Sequence, residues 1–297
     1  MNLDINNNEL SDLAYYIFVF RGIVMRVVAL FENRTVSKDY KNKHGLSLYI
    51  ETSKHKVLFD TGTDDTFAKN ALKLGVKLED IDVAIISHGH YDHGGGLEAF
   101  LKLNSKAKIF IGKGAFDNHR IKILGPITYN IGLNKELEGS GRISFVDGMI
   151  KIDEELILFG DVKGNMLMPK GNDKLLKKQS NGHINKDDFK HEINLIINEN
   201  GKYNLFCGCA HRGIVNIIER AKDIINNDLS TVIGGFHLMG MDVKKSTDFL
   251  NELSVSLLFN NVKKYYTCHC TGEQAYSYLR SEMDNLSDIK TGMIIEV

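Results

Sequence analysis

From residue 25 onward the chain is written in short apolar blocks separated by polar turns. MRVVALF gives way to a polar stretch, then GLSLYIE (45–51), a polar ETSKH turn and KVLFDTG (56–62). Blocks of this length, rich in β-branched residues and bounded by turn formers, predict strands, and the short turn predicts that 45–51 and 56–62 pair. TDDTFAKNALKLG (63–75) breaks that rhythm. It opens on Thr and Asp caps and closes on glycine, which predicts a helix. VAIIS (83–87) predicts a buried strand, and GGGLEAFLKL (94–103) runs from a glycine turn into another helix. Further along, INLIINENGKYNLFCG (193–208) reads as a hairpin, and helices are expected after CGCAHRG and TCHCTG. Residues 112–183, rich in Gly, Asn and Lys, show the least pattern and are expected to form an irregular cap beside a site.

The most apolar stretch, LAYYIFVFRGIVMRVVALF (13–31), is interrupted by Arg21 and Arg26 and follows an acidic, amide-rich start. It reads as neither a spanning helix nor a signal peptide. Residues 1–24 are therefore taken as an N-terminal extension and 25–297 as one domain. No repeat or proline-rich linker divides it, since the only prolines are Pro126 and Pro169.

Composition narrows the partners. Lys and Arg number 37 against 38 Asp and Glu, a formal net charge of −1, so nothing favours a nucleic-acid or membrane surface. A small-molecule substrate is expected, with oligomeric state open. Cys207, Cys209, Cys268 and Cys270 form two C-x-C pairs beside histidines, not the spaced framework of a secreted mini-protein. That favours a reducing cytoplasm.

The chemistry concentrates in AIISHGHYDHGGG (84–96). His88 and His90 leave an extended segment in the same direction, whereas Asp92 and His93 come once the chain has begun to turn. Four ligand-type residues thus divide into two pairs, enough for two metal ions on one loop. The glycines Gly94, Gly95 and Gly96 predict a backbone crowded against those ions, where a Cβ would collide.

At these residues the chain resembles the metallo-β-lactamase superfamily. The resemblance extends to KVLFDTG, where the family keeps a buried aspartate behind the metal loop, here Asp60, and to the order of elements over most of residues 25–297. HGLSLYIE, DDFKHEINLII, CGCAHRGIVNII, GGFHL and TCHCTGEQA are similar to one branch. That branch includes dihydropterin ribofuranosylaminobenzene phosphate synthases and proteins known only as metal-dependent hydrolases. The resemblance implies an α/β fold of four layers, an αββα sandwich of two mixed sheets with helices outside and metals at one sheet edge.

In the family a third histidine precedes a hairpin, the hairpin ends in Gly-Asp with that Asp bridging both ions, and a last histidine comes near the C-terminus. Here the hairpin ends in Cys209-Ala210-His211, with no such Asp. His211 is the first choice for the fifth ligand, in the third-histidine or the bridging role, and His269 for the sixth. His191, Cys209 and His237 are reserves, and His237 also suits a substrate-facing or supporting role.

Together these residues imply a metal-dependent hydrolase acting on a small anionic, phosphate-bearing substrate through two divalent ions. Zinc comes first, with manganese, iron and cobalt also suited to His and Asp ligands. Asp92 would hold one ion and act as base toward the metal-bound water. Glycine turns feed helices after His211 and His269, so two helix starts are expected at the cleft, with Arg212 offering charge to a phosphate. A pterin-type transferase would use the same ligands. A non-catalytic metal-binding scaffold, and a zinc site of four cysteines made from the two C-x-C pairs, are the remaining readings.

Overall fold

The strands of this chain are apolar on both faces, and that dictates how the layers stack. In Arg26–Phe31, Val27 and Ala29 enter one buried cluster while Val28 and Leu30 enter another. Val83–Ile86 divides the same way, Val83 and Ile85 against Ala84 and Ile86. In Asn194–Glu199, Leu195 and Ile197 face the cluster that contains Val27, while Ile196 faces a third. A strand with two buried faces needs a partner sheet on one side and helices on the other.

That is the arrangement in the computed structural model, which describes residues 25–297. The expected extension, residues 1–24, lies outside the described residues. One sheet runs, in spatial order, through Ile294–Glu296, Arg26–Phe31, Ser47–Glu51, Lys56–Phe59, Val83–Ile86, Lys108–Gly112 and Ile143–Val146. The other runs through Leu286–Asp288, Lys264–Thr267, Thr231–Gly234, Lys202–Phe206, Asn194–Glu199, Leu156–Phe159 and Met149–Lys151. Between them lies a shared core that includes Phe59, Leu158 and Phe206, and truncating either phenylalanine to alanine would cost about 3–5 kcal/mol. Helices Thr66–Lys73 and Leu97–Leu103 cover the first sheet through Phe67, Ala71, Leu97 and Phe100. Helices Ile214–Ile225, Thr247–Phe259 and Glu273–Glu282 cover the second. The fold is the expected αββα sandwich.

Each sheet is parallel in one half and antiparallel in the other. The parallel strands Lys56–Phe59, Val83–Ile86, Lys202–Phe206, Thr231–Gly234 and Lys264–Thr267 all end at the same edge. The turns after them carry Asp60, His88 to His93, Cys209 to His211, His237 and His269. The candidate chemistry therefore collects at the carboxyl ends of parallel strands, where α/β folds open a crevice.

Residues 112–183 are more regular than expected. Ile143–Val146 extends the first sheet, and Met149–Lys151 and Leu156–Phe159 extend the second. Asn118–Leu124, Ile127–Asn130 and Leu175–Lys178 join Ile184–Lys186 in a third, four-stranded sheet. Its strands escape the sequence pattern because they are largely solvated. Ile123, Leu124, Ile127 and Tyr129 are exposed and alternate with Lys, Thr and Asn, so no buried face writes a period of two. No helix among the described residues is long and apolar enough to cross a membrane.

Candidate metal centre

Asp60 organises the first loop. Its carboxylate accepts from Ser87 N–H at 2.7 Å, Ser87 Oγ–H at 2.8 Å and His93 Nδ1–H at 2.6 Å. Since the Ser87 hydroxyl proton goes to Asp60, Ser87 Oγ accepts from His88 Nδ1–H at 2.9 Å. One buried carboxylate thus fixes the tautomer of two histidines and turns both Nε2 lone pairs outward.

The same device holds the histidines of the other loops. His211 Nδ1–H donates to Asn172 Oδ1 at 3.0 Å, and His269 Nδ1–H to Asn33 Oδ1 at 2.9 Å. Their backbone N–H groups are held by buried glutamates, His211 by Glu192 Oε1 and His269 by Glu32 Oε1, both at 2.7 Å. Burial pushes Glu192 up to about 7.

The four Nε2 atoms converge in two pairs. His88 Nε2 and His211 Nε2 are 3.3 Å apart, and His93 Nε2 and His269 Nε2 are 3.1 Å apart. Asp92 Oδ2 lies 3.2 Å from His269 Nε2 and 3.8 Å from His93 Nε2, joining the second pair. Cys209 Sγ is 3.1 Å from His93 Nε2 and also groups with His88 and His211, so the thiol stands between the pairs. The His90 ring packs 4.5 Å from His88 and 5.0 Å from His211 by centroid. His90 Nε2 is buried without a partner among the described residues, in a deeper group with His119, Asp187 and His191.

Protonation states suit cation binding at most of the donors; the exception is His93, where burial is outweighed by the Asp60 and Asp92 carboxylates and the imidazole is raised. Burial, and repulsion from neighbouring histidines, hold His88 and His211 well below the usual imidazole range; burial and His191 do the same for His90. Burial alone would raise Asp92, but His93, His269 and His44 outweigh it and keep it ionised. Burial pushes the Cys209 thiol well up, a state that a coordinated cation reverses outright. The backbone is strained here too. Of the nine described non-glycine residues with positive φ, four are Asp60, Ala210, His237 and His269, each costing about 1–3 kcal/mol and held only by its surroundings.

The six residues expected as ligands, His88, His90, Asp92, His93, His211 and His269, meet at this edge. His237 packs its ring 4.2 Å from His211 and shares a group with Cys209 and Cys270. The four cysteines do not gather into one cluster: Cys207 and Cys268 are buried in two hydrophobic clusters while Cys209 and Cys270 line the cavity. Arg212 is not at the cleft, where the sequence placed it. Its guanidinium donates to the carbonyls of Asp188 at 3.3 Å and Val162 at 3.0 Å, and it does not line the cavity. Neither helix start lines the main cavity either; Gly272 borders smaller clefts beside it.

Gly94 to Gly96 are required by the protein packed around them. A Cβ on Gly94 would come 2.6 Å from Leu133 Cδ2, and on Gly95 and Gly96 it would strike the carbonyl oxygens of Thr63 and Thr61.

The cavity over this edge holds about 530 Å³. Asp92, His211, His237 and His269 line it at the sheet edge, with the exposed His44 and Tyr91 at its rim. Ile121, Tyr129, Leu175, Leu238 and Met241 make an apolar wall, and Lys170 and Lys174 stand in its lining. Both lysines are exposed, and neither makes an ion pair with a described residue. His44 Nε2 is 3.2 Å from Asp92 Oδ2. Sequence reasoning passed over His44, Asn33, Asn172, Glu32 and Glu192, since a single Asn or Glu in a loop carries no spacing signal.

A four-layer αββα sandwich with histidine-rich loops at one sheet edge is the architecture of the metallo-beta-lactamase superfamily, and the chain belongs to it. The superfamily's family model matches residues 42–117, which contain the His88 to His93 loop. Over 285 residues the chain is 30% identical to the 7,8-dihydropterin-6-methyl-4-(beta-D-ribofuranosyl)-aminobenzene-5'-phosphate synthase of Methanocaldococcus jannaschii, covering 88% of this chain and 95% of that protein. An uncharacterized protein of the same organism, MJ0448, is 28% identical over 276 residues, 91% of this chain and 100% of its own. The crystal structure of Tm1679, a metal-dependent hydrolase of the beta-lactamase superfamily, superposes with a TM-score of 0.76 at 29% identity, over 92% of this chain and 99% of that one.

Proposed function

We propose that the chain is a metal-dependent hydrolase for a small anionic, phosphate-bearing substrate, with two divalent cations at the sheet edge. His88, His90 and His211 would hold one, Asp92, His93 and His269 the other, with Cys209 between them. The observation that carries this is the four converging Nε2 atoms. Each ring spends its proton on an oxygen at Nδ1, so lone pairs face one another at 3.1 and 3.3 Å, an arrangement that repels unless a cation lies among them. Imidazoles, one carboxylate and one thiol make a donor set for zinc, iron or cobalt rather than for magnesium or calcium.

Such cations supply a water ionised near neutral pH and charge to balance a developing oxyanion. The chain's own residues do the rest. Asp92 Oδ2 orients the attacking water and accepts its proton, and His44, 3.2 Å from that oxygen on the cavity rim, passes a proton toward the leaving group. Lys170 and Lys174, which no described carboxylate neutralises, draw the anion in. The apolar wall around Ile121 and Tyr129 takes the rest of the substrate.

A second reading, group transfer, is supported by the 30% identity to a synthase over nearly its whole length. Both readings are tested on purified protein by elemental analysis, then by product analysis with a phosphodiester, a lactone and a pterin diphosphate offered with an aminobenzene acceptor. Phosphodiester hydrolysis that disappears, together with metal, in His88→Ala and Asp92→Ala is the expected result. Pterin transfer to the acceptor would exchange the two readings. Lactone cleavage alone, or full metal content in those variants, would defeat both.

A further inference from the structure

Behind the metal loop lies a buried chain of three residues that no catalytic role absorbs. Gly89, between His88 and His90, donates its N–H to His191 Nδ1 at 2.9 Å across 102 residues of sequence. Asp187 Oδ1 lies 3.4 Å from His191 Nε2, and Asp187 Oδ2 accepts from His119 Nδ1–H at 2.7 Å. His119 Nε2 lies 3.1 Å from the Gly114 carbonyl. The His119 and His191 rings lie 4.0 Å apart, and all three side chains are buried.

With His90, these residues bring four possible ligand atoms within 4.8 Å of one another, which resembles a cation site. The tautomer argues otherwise. Because His191 Nδ1 accepts from a backbone N–H, its proton sits on Nε2, 3.4 Å from Asp187 Oδ1 and without a hydrogen-bond partner among the described residues, so the ring offers a proton where a ligand must offer a lone pair. The 2.7 Å contact between His119 and Asp187 is likewise a hydrogen bond.

We propose that His191, Asp187 and His119 are positioning residues: a buried polar brace, hydrogen-bonded at both ends and closed by the 3.4 Å contact between His191 and Asp187, that fixes the Gly89 peptide, and through it the His90 ring, for the ion shared with His88 and His211. The inference rests on the metal reading above. Gly89 is pressed onto the brace so closely that a Cβ there would come 2.7 Å from His119 Nε2. The same three residues fasten the third sheet to the metal loop. His119 belongs to strand Asn118–Leu124, Asp187 N–H donates to the Leu175 carbonyl, and the His119 carbonyl accepts from Ile131, whose own carbonyl accepts from Tyr91 N–H beside His90. The cavity wall formed by Ile121, Tyr129 and Leu175 is thereby held in register with the ligands.

The test compares His191→Gln with His191→Leu on the full chain. Glutamine can accept from Gly89 N–H and donate to Asp187, whereas leucine can do neither. Zinc affinity is read by chelator competition, and folding by circular dichroism and melting of the metal-free proteins. Wild type and His191→Gln are expected to bind two ions with affinities within about threefold of each other. His191→Leu should lose about tenfold to a hundredfold for one ion and nothing for the other, the usual effect of removing the partner that orients a metal site. Should the leucine variant fail to fold, Asp187→Asn is expected to weaken the same single ion. Wild-type affinity for both ions in a folded His191→Leu or Asp187→Asn would overturn the brace, as would equal loss in Gln and Leu. A third ion bound by wild type and lost in Asp187→Asn would replace the brace with a cation site. Wild type binding no ion would sink the metal reading itself, and is distinguishable because it precedes any variant.

Discussion

Asn172 and His211 are joined twice: Asn172 Oδ1 accepts the ring Nδ1–H at 3.0 Å, and Asn172 Nδ2–H donates to the His211 carbonyl at 2.7 Å. Asn33 repeats both bonds on His269, at 2.9 and 3.1 Å. Ring and backbone of each histidine are thus gripped by one amide, which sets the direction of Nε2.

The first prediction concerns this pair. Asn172→Ala and Asn33→Ala should each lower metal affinity about tenfold to a hundredfold, but for different ions, because one asparagine serves each cluster. Stepwise zinc titrations check it. Loss of the same ion in both variants would mean that the two clusters are one site.

Lys170 and Lys174 line the cavity whereas the Arg212 guanidinium is committed to two carbonyls, so the proposed anion binding falls to the lysines. Inorganic phosphate is expected to inhibit competitively at fixed ionic strength. Replacing both lysines with alanine should raise KM for an anionic substrate roughly tenfold, the worth of one charge-assisted hydrogen bond at a wet site, with kcat little changed. Arg212→Ala should instead lower the melting temperature and leave KM alone. The reverse pattern would return the anion to Arg212.

A pH effect is expected at the opposite sheet edge. His55 Nδ1 contacts Asp82 Oδ2 at 2.8 Å and its Nε2 contacts Asp153, tying a turn of the first sheet to one of the second. Burial would lower His55, but these two carboxylates outweigh it and raise it above the ordinary imidazole value. A folded value above the unfolded one gives stability that is complete below about pH 6.5 and is lost as pH rises through the raised value. Melting temperatures of wild type and His55→Gln, both saturated with metal, should therefore differ most below about pH 6.5 and converge as pH rises through the raised value. A difference that grows with pH would reverse the sign of the shift.

Much of this was legible in the sequence, for identifiable reasons. Val27 to Leu30 and Val83 to Ile86 announce strands because both of their faces are buried, and His88 to His93 announce a metal loop because ligand spacing is local. The third sheet was hidden, since Ile123, Leu124 and Ile127 face solvent and their alternation marks no buried face. Asn33, Asn172, Glu32 and Glu192 were hidden for a different reason: each meets its histidine only through the fold, Glu32 and His269 being 237 residues apart. Cys209 falls between these cases. It comes after Gly208, where the family's bridging Asp would stand, and only the geometry promotes it from reserve to the centre of the site.

If two cations share this edge with Cys209 between them, cobalt(II) reports both parts at once. Metal-free protein titrated with cobalt should take up two equivalents and develop a thiolate-to-cobalt charge-transfer band in the near ultraviolet. Cys209→Ser should lose that band while Cys270→Ser keeps it. No uptake, or a band indifferent to Cys209→Ser, would rule out a shared site with Cys209 between two cations.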